Sequence, residues 1–118
     1  MPPYGQSMDD KAYLQHIAEA VLKIDKYTKN ATETTFVQDE MMRDAVVREF
    51  EIIGEASRRL SDLSRRKTEE IPWSQVIAMR NKLSHEYFGV DFKAVWAVVQ
   101  RDLSPLSRAV TKLLSEMD

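Results

Sequence analysis

The stretch Thr35–Leu63, TFVQDEMMRDAVVREFEIIGEASRRLSDL, decides the fold. Met42, Ala45, Ile52, Ile53, Ala56, Leu60 and Leu63 recur along one stripe, and Val47, Phe50 and Gly54 flank it. That period belongs to an amphipathic helix, and a helix apolar on more than one side is central in its bundle or also part of a subunit interface. Both are expected here. Thr35-Phe36-Val37-Gln38 matches a capping box and is expected to start the helix. Gly54 in mid-helix costs about 1 kcal/mol relative to alanine, so close approach of another helix is expected to offset it. Glu49 and Glu55 are expected at the surface, solvated or ion-paired.

Outward from this helix, the pattern stays helical. Leu14, Ile17, Ala18, Val21, Leu22 and Ile24 predict an amphipathic helix from Asp9 to about Tyr27, with Asp9 and Asp10 favourably near its N-terminus. His16 projects from its polar side and is expected to be solvated. Residues 1–8, with two prolines and a glycine, are expected to form a disordered tail ahead of a single domain over 9–118.

On the other side, Pro72 is expected at the first position of a third helix carrying Trp73, Val76, Ile77 and Leu83. Asp91 is the expected N-cap of a fourth, with Phe92, Val95, Trp96, Val99 and Leu103 at core spacing. Pro105 should bend or restart that helix before Leu106, Val110, Leu113 and Leu114. Both tryptophans read as core aromatics. No segment alternates as a strand would. The expected architecture is all-α, an up-and-down bundle of four to five helices.

A chain of 118 residues fits one domain, and 43% hydrophobic with 31% charged residues argues against disorder. With no cysteine, disulfides, zinc–cysteine sites and thiol catalysis are excluded. No apolar run approaches the roughly 20 residues of a membrane span and no signal-peptide pattern opens the chain, so a cytoplasmic location without membrane contact is expected. A net charge of −2 makes any RNA contact local.

The reactive groups concentrate in Met79–Gly89, MRNKLSHEYFG. Arg80 keeps its charge and can grip phosphate oxygens with two parallel hydrogen bonds. His85 can take or give a proton, an effect typically worth 10²–10⁴-fold in rate. RNA carries its own nucleophile, the 2′-hydroxyl, so its cleavage needs neither metal nor cofactor. Two lone histidines are also too little for a metal site.

Five residues apart on a helix, Arg80 and His85 are about 140° apart in projection. They can cooperate only if the helix ends between them or a second subunit contributes. Because one imidazole cannot be base and acid at once, a two-fold homodimer with both copies of His85 facing one cleft is the expected arrangement. Arg58, Arg59, Arg65, Arg66 and Lys67 crowd the end of the long helix. They read equally as helix-end charges or, together with Lys82, as a phosphate-binding rim.

These residues resemble a known family. Arg80, four intervening residues and His85 resemble the arginine–histidine motif of HEPN ribonucleases, and His85-Glu86-Tyr87 resembles the His-x-Tyr extension of HepT-like toxins. Tyr13-Leu14-x-x-Ile17, Ile53-Gly54-Glu55-Ala56, Ile71-Pro72-Trp73 and Tyr87-Phe88-Gly89-Val90-Asp91, then Trp96 and Asp102-Leu103, match in the same order. The resemblance runs from about Met8 to the C-terminus.

It implies a dimerising all-α bundle and a metal-independent endoribonuclease that cleaves mRNA or tRNA and arrests growth. Arg80 would hold the scissile phosphate and His85 would be the acid/base, with Asn81 and Ser84 as supports. It also implies an MntA-like nucleotidyltransferase antitoxin that transfers AMP to Tyr87, adding phosphate charge beside His85. The alternative is a catalytically silent HEPN-like dimer that binds or regulates a nucleotidyltransferase.

Overall fold

In the computed structural model the backbone is described over residues 3–117, and side chains from Asp10 onward with the exception of Tyr87. Helix α1 spans Pro3–Thr28, so the backbone is already helical where a tail was expected, while Met1 and Pro2 of that tail lie outside the described residues. Proline is compatible with the first turn because its missing N–H would have no helical partner there. Leu14, Ile17, Ala20, Val21 and Ile24 form the buried stripe of α1. Leu22 does not join it and is exposed, since it lies about 100° round the helix from Val21.

The early start of α1 also gives Asp10 a different role from the expected helix-end charge. Its buried carboxylate accepts hydrogen bonds from the Ser61 N–H (3.0 Å) and from the hydroxyls of Ser61 and Ser64. Those residues belong to the short helix α4, Asp62–Arg66, whose N-cap is Ser61. Asp10 therefore ties α4 to α1.

The long central helix is shorter than its pattern suggested and is preceded by a separate short one. Thr32 and Thr35 form the capping box: Thr32 Oγ1 accepts from the Thr35 N–H at 3.2 Å, and Thr35 Oγ1 from the Thr32 N–H at 2.8 Å. They start α2, Glu33–Gln38, and Asp39 then breaks the helix and N-caps α3, Glu40–Arg59, by accepting from the Met42 N–H. The expected Thr35–Gln38 box thus sits three residues late, because Thr35 is the third helical residue and Thr32 the cap.

At its other end α3 stops where Leu60 turns extended (φ −65°, ψ 145°). The Arg65 guanidinium donates to the last-turn carbonyls of Ser57 and Arg58, both at 2.8 Å, and Ser57 also accepts from the Leu60 N–H at 3.2 Å, so these helix-end acceptors are satisfied. The break resets the helical register, so Leu63 leaves the expected stripe and is exposed.

Helix α5 covers Trp73–His85, with Pro72 at the cap position, one residue before the expected place. Trp73 is buried and its indole N–H donates to Thr68 Oγ1 at 3.1 Å. A 3₁₀ turn, Tyr87–Gly89, follows α5. Asp91 caps α6, Phe92–Arg101, through the N–H groups of Lys93 and Ala94, as expected. The chain then breaks at Asp102 and continues as α7, Leu103–Ser115, with Pro105 in its first turn. The proline ring excludes a continuous helix here by clashing with the carbonyl four residues earlier, that of Arg101.

Helix α3 packs between α1 and α5, and α7 covers α1 while α2 meets α6. Both flanks of α3 are consequently buried: Val46, Phe50, Ile53 and Ser57 on one, Val47 and Gly54 on the other. Glu49 is also buried, against the expectation of a surface carboxylate, because a helix enclosed on two sides leaves little solvent at that angle. Trp96 is half-buried against Phe36, ring centroids 5.3 Å apart. Among the described residues all regular structure is helical, and no helix is long and apolar enough to cross a membrane.

Candidate active site

The site begins with the contact of α3 and α5. A Cβ placed on Gly54 would overlap Arg80 Cβ and lie 2.7 Å from its Cγ and 3.4 Å from its Cα. Glycine is therefore what lets α5 settle at this depth, and the approaching helix is the one that carries Arg80. The aliphatic stem of Arg80 is pressed onto the α3 backbone, which fixes where its guanidinium emerges.

That guanidinium is held but not saturated. One terminal nitrogen donates to Asn81 Oδ1 at 3.1 Å, and the other lies 3.8 Å from Glu55 Oε1, an ion pair rather than a hydrogen bond. Arg80 Nε is buried with no hydrogen-bond partner among the described residues. The Arg80 side chain as a whole is about one-third exposed. Donors remain for an incoming anion.

Glu55 organises the cations around it. It accepts from Arg58 (2.8 and 3.3 Å) and Arg59 (2.9 Å), and these hydrogen bonds, Arg58 first, lower its pKa from 4.5 to about 2. Glu55 is thus ion-paired at the surface, as expected. Ser84 Oγ donates to Glu51 Oε2 at 3.0 Å, giving α5 a second polar tie to α3. Asn81 and Ser84 both act on the position of α5 and Arg80.

His85 is the last residue of α5 and is exposed. The backbone leaves the helix just after it, at Glu86 (φ −128°, ψ 35°), and the Glu86 N–H still donates to the Lys82 carbonyl. Because α5 stays helical through His85, Arg80 and His85 keep their divergent projection within one chain. The next turn begins at Tyr87, whose side chain lies outside the described residues. The Phe88 ring beside it is fully exposed.

The basic cluster is distributed among different duties. Arg58 and Arg59 hold Glu55, Arg65 closes the end of α3, and Lys67 pairs with Glu116 at 3.5 Å. Arg66 and Lys82 are exposed, Lys82 on α5 beside a groove against α6. No group of three His, Asp or Glu side chains among the described residues is placed to hold a metal ion.

A cleft of about 230 Å³ opens between α1, α3 and α5 around the Arg80 head group. Tyr13, His16, Glu51, Ile52, Glu55, Ala56, Arg59 and Arg80 line it. His16 was expected to be a solvated bystander. It is exposed, but into the same cleft as Arg80, and the signal for this was only its position one turn after Tyr13 in a matching block.

The model of the HepT-like ribonuclease family matches residues 17–113. This chain belongs to the HepT-like ribonuclease family. It is 41% identical over 103 residues to the "Probable ribonuclease HepT" of Thermococcus cleftensis, covering 87% of this chain and 94% of that protein. It is 37% identical over 102 residues to a "Putative RNase" of Methanocaldococcus jannaschii, covering 86% and 94%. A "Gamma-glutamylcyclotransferase and putative RNase" of the same organism is 42% identical over 110 residues, 93% of this chain but 50% of that protein, so the chain spans half the length of that relative. No solved structure matches.

Proposed function

We propose that this HepT-like chain is the toxin of a toxin–antitoxin module, a metal-independent endoribonuclease acting in the cytoplasm as a homodimer. The observation that carries this reading is the state of Arg80. Its stem is fixed on Gly54 and its head is steadied by Asn81 and Glu55, yet its two terminal nitrogens make only one hydrogen bond and one 3.8 Å ion pair, which leaves N–H groups for an anion in the cleft that Arg80 lines. Such a guanidinium is preorganised for a phosphodiester, and preorganised donors lose little on binding charge.

His85 serves as acid/base on the RNA phosphate held by Arg80. The two diverge along α5, so the catalytic pairing joins residues of two copies in a composite cleft, and the attacking group is the RNA 2′-hydroxyl. Arg66 and Lys82, exposed near the two helix ends, extend the phosphate contact.

Control comes from a nucleotidyltransferase antitoxin of the MntA type, which transfers AMP to Tyr87. A phosphate-bearing group two residues from His85 repels an incoming RNA backbone and competes for Arg80. Co-expression followed by mass spectrometry reads the modification. The AMP mass should appear on the native chain and be absent from Tyr87→Phe, and its persistence on that variant removes Tyr87 from the scheme.

The decisive experiment measures cleavage of total RNA with EDTA present and growth arrest on induction. Native chain should give both, and Arg80→Ala and His85→Ala neither. One observation favours the second reading, a silent HEPN-like partner of the transferase: Arg80 is already engaged by Glu55 and Asn81. Absence of RNA cleavage together with retained binding to the transferase would establish it.

A further inference from the structure

Arg80 shares its cleft with His16, and His85 is not among the residues that line it. Cleavage by the 2′-hydroxyl needs two proton transfers, one from the attacking oxygen and one to the leaving 5′-oxygen. A single imidazole cannot do both in one turnover step. The chain has only two histidines, and the second opens onto the arginine assigned to the phosphate.

The other groups in the cleft are poorly suited to the task. Glu55 is locked as a carboxylate, its pKa lowered to about 2 by Arg58 and Arg59, so it has no proton to give near neutral pH. Glu51 is engaged by the Ser84 hydroxyl. Tyrosine as a residue type gives up its proton only near pH 10. Histidine is the type that exchanges protons near neutrality, and this cleft has one. Ile52 and Ala56 supply apolar surface beside it, and Arg59 and Arg80 the cations. A phosphodiester seated on Arg80 in this cleft would share it with His16.

We propose that His16 is the second proton-transfer residue of the ribonuclease site, completing with His85 the acid–base pair around the phosphate held by Arg80. This rests on the ribonuclease reading above and replaces a second copy of His85 as the complementary group. His16 and Arg80 come from one chain, and His85 is delivered by a second copy. As the 2′-oxygen bonds to phosphorus, its proton passes to one imidazole. As the bond from phosphorus to the 5′-oxygen breaks, that oxygen takes a proton from the other imidazolium. The products are a 2′,3′-cyclic phosphate and a 5′-hydroxyl, and exchange with water resets both rings.

The ionisable groups that share the cleft with His16 are Tyr13 on its own helix, Glu51, Glu55 and Arg59 on α3, and Arg80 on α5, and exposed Glu19 follows three residues along α1. The test is kcat/KM against pH for native chain, His16→Gln and His16→Asn on a short RNA, with circular dichroism on each protein. His16 is exposed, so both variants should keep the native spectrum. The expected result is a bell-shaped native profile. Each variant should lose about 10²–10⁴-fold in kcat, with one limb flattened, little change in RNA affinity, and part of the rate restored by free imidazole.

An active native chain whose His16→Gln variant keeps both limbs and its kcat overturns this inference and leaves the ribonuclease reading standing. A loss confined to KM, with no imidazole rescue, overturns it equally. A native chain that cleaves no RNA overturns both.

Discussion

Gly54 on α3 and Arg80 on α5 occupy one close contact: any side chain at position 54 would collide with the Cβ of Arg80. The contact joins fold and chemistry, because the depth at which α5 seats on α3 also sets the position of the guanidinium.

Gly54→Ala should therefore destabilise the protein even though alanine is the better helix former. The gain in helix propensity is about 1 kcal/mol, and overpacking a close contact typically costs about 1–3 kcal/mol. Urea unfolding should show a net loss, accompanied by weaker RNA cleavage. Gly89→Ala is the control. Nothing lies within 4 Å of a Cβ there, so its stability should stay within about 0.5 kcal/mol of native.

Asp10→Ala should loosen α4. The substitution leaves the Ser61 N–H and the Ser61 and Ser64 hydroxyls without their shared acceptor. A loss of about 1.5–3 kcal/mol is expected for hydrogen bonds to a buried charged group. Hydrogen exchange should accelerate first in Ser61–Arg66, and unchanged protection there would show that α4 is held by something else.

Glu55 contributes a pH-dependent increment. Its folded pKa is about 2 and its ordinary value 4.5, so its ion pairs add stability above about pH 4.5 and lose it as the pH falls toward 2. The pairs are partly solvated, and such pairs are typically worth about 0.2–1 kcal/mol each. Glu55→Gln should be modestly less stable than native at pH 7 and indistinguishable from it near pH 2. A constant difference across that range would mean that the carboxylate charge is not what matters.

Arg80→Lys keeps the charge and most of the aliphatic stem on Gly54, so its unfolding midpoint should change little. It loses the planar fork that grips two phosphate oxygens. RNA cleavage should fall by at least about tenfold, a transition-state loss of about 1.4 kcal/mol. Full activity in this variant would reduce Arg80 to a point charge.

Much of the architecture is legible in local pattern. The apolar spacing of Leu14 to Ile24 and of Val95 to Leu113 follows from helical geometry, and Asp91 and Pro105 mark the start and the break of the second stretch through local backbone chemistry that operates within a few residues. Where the sequence misled, a local signal had a near-equivalent neighbour. Thr32 and Thr35 both resemble caps, and only the observed pair of hydrogen bonds chooses Thr32. Leu63 continues a stripe on paper, yet the break at Leu60 turns it into solvent.

The site divides in the same way. The residue types of Met79–Gly89 suit phosphate and proton chemistry, and their spacing already shows that Arg80 and His85 diverge on a continuous helix. The mid-helix glycine announces a close approach, because its helix penalty calls for a compensating contact. Which helix approaches, and with which residue, depends on how α3 is sandwiched between α1 and α5. Asp10 became a buried tether and His16 a neighbour of Arg80 for the same reason. Each faces an element far away in the chain, and a pairing across that separation leaves no periodic trace. Sequence determined the helices and the reactive residues, since those depend on short-range geometry and side-chain type. Tertiary packing alone decided which of those residues share a cleft.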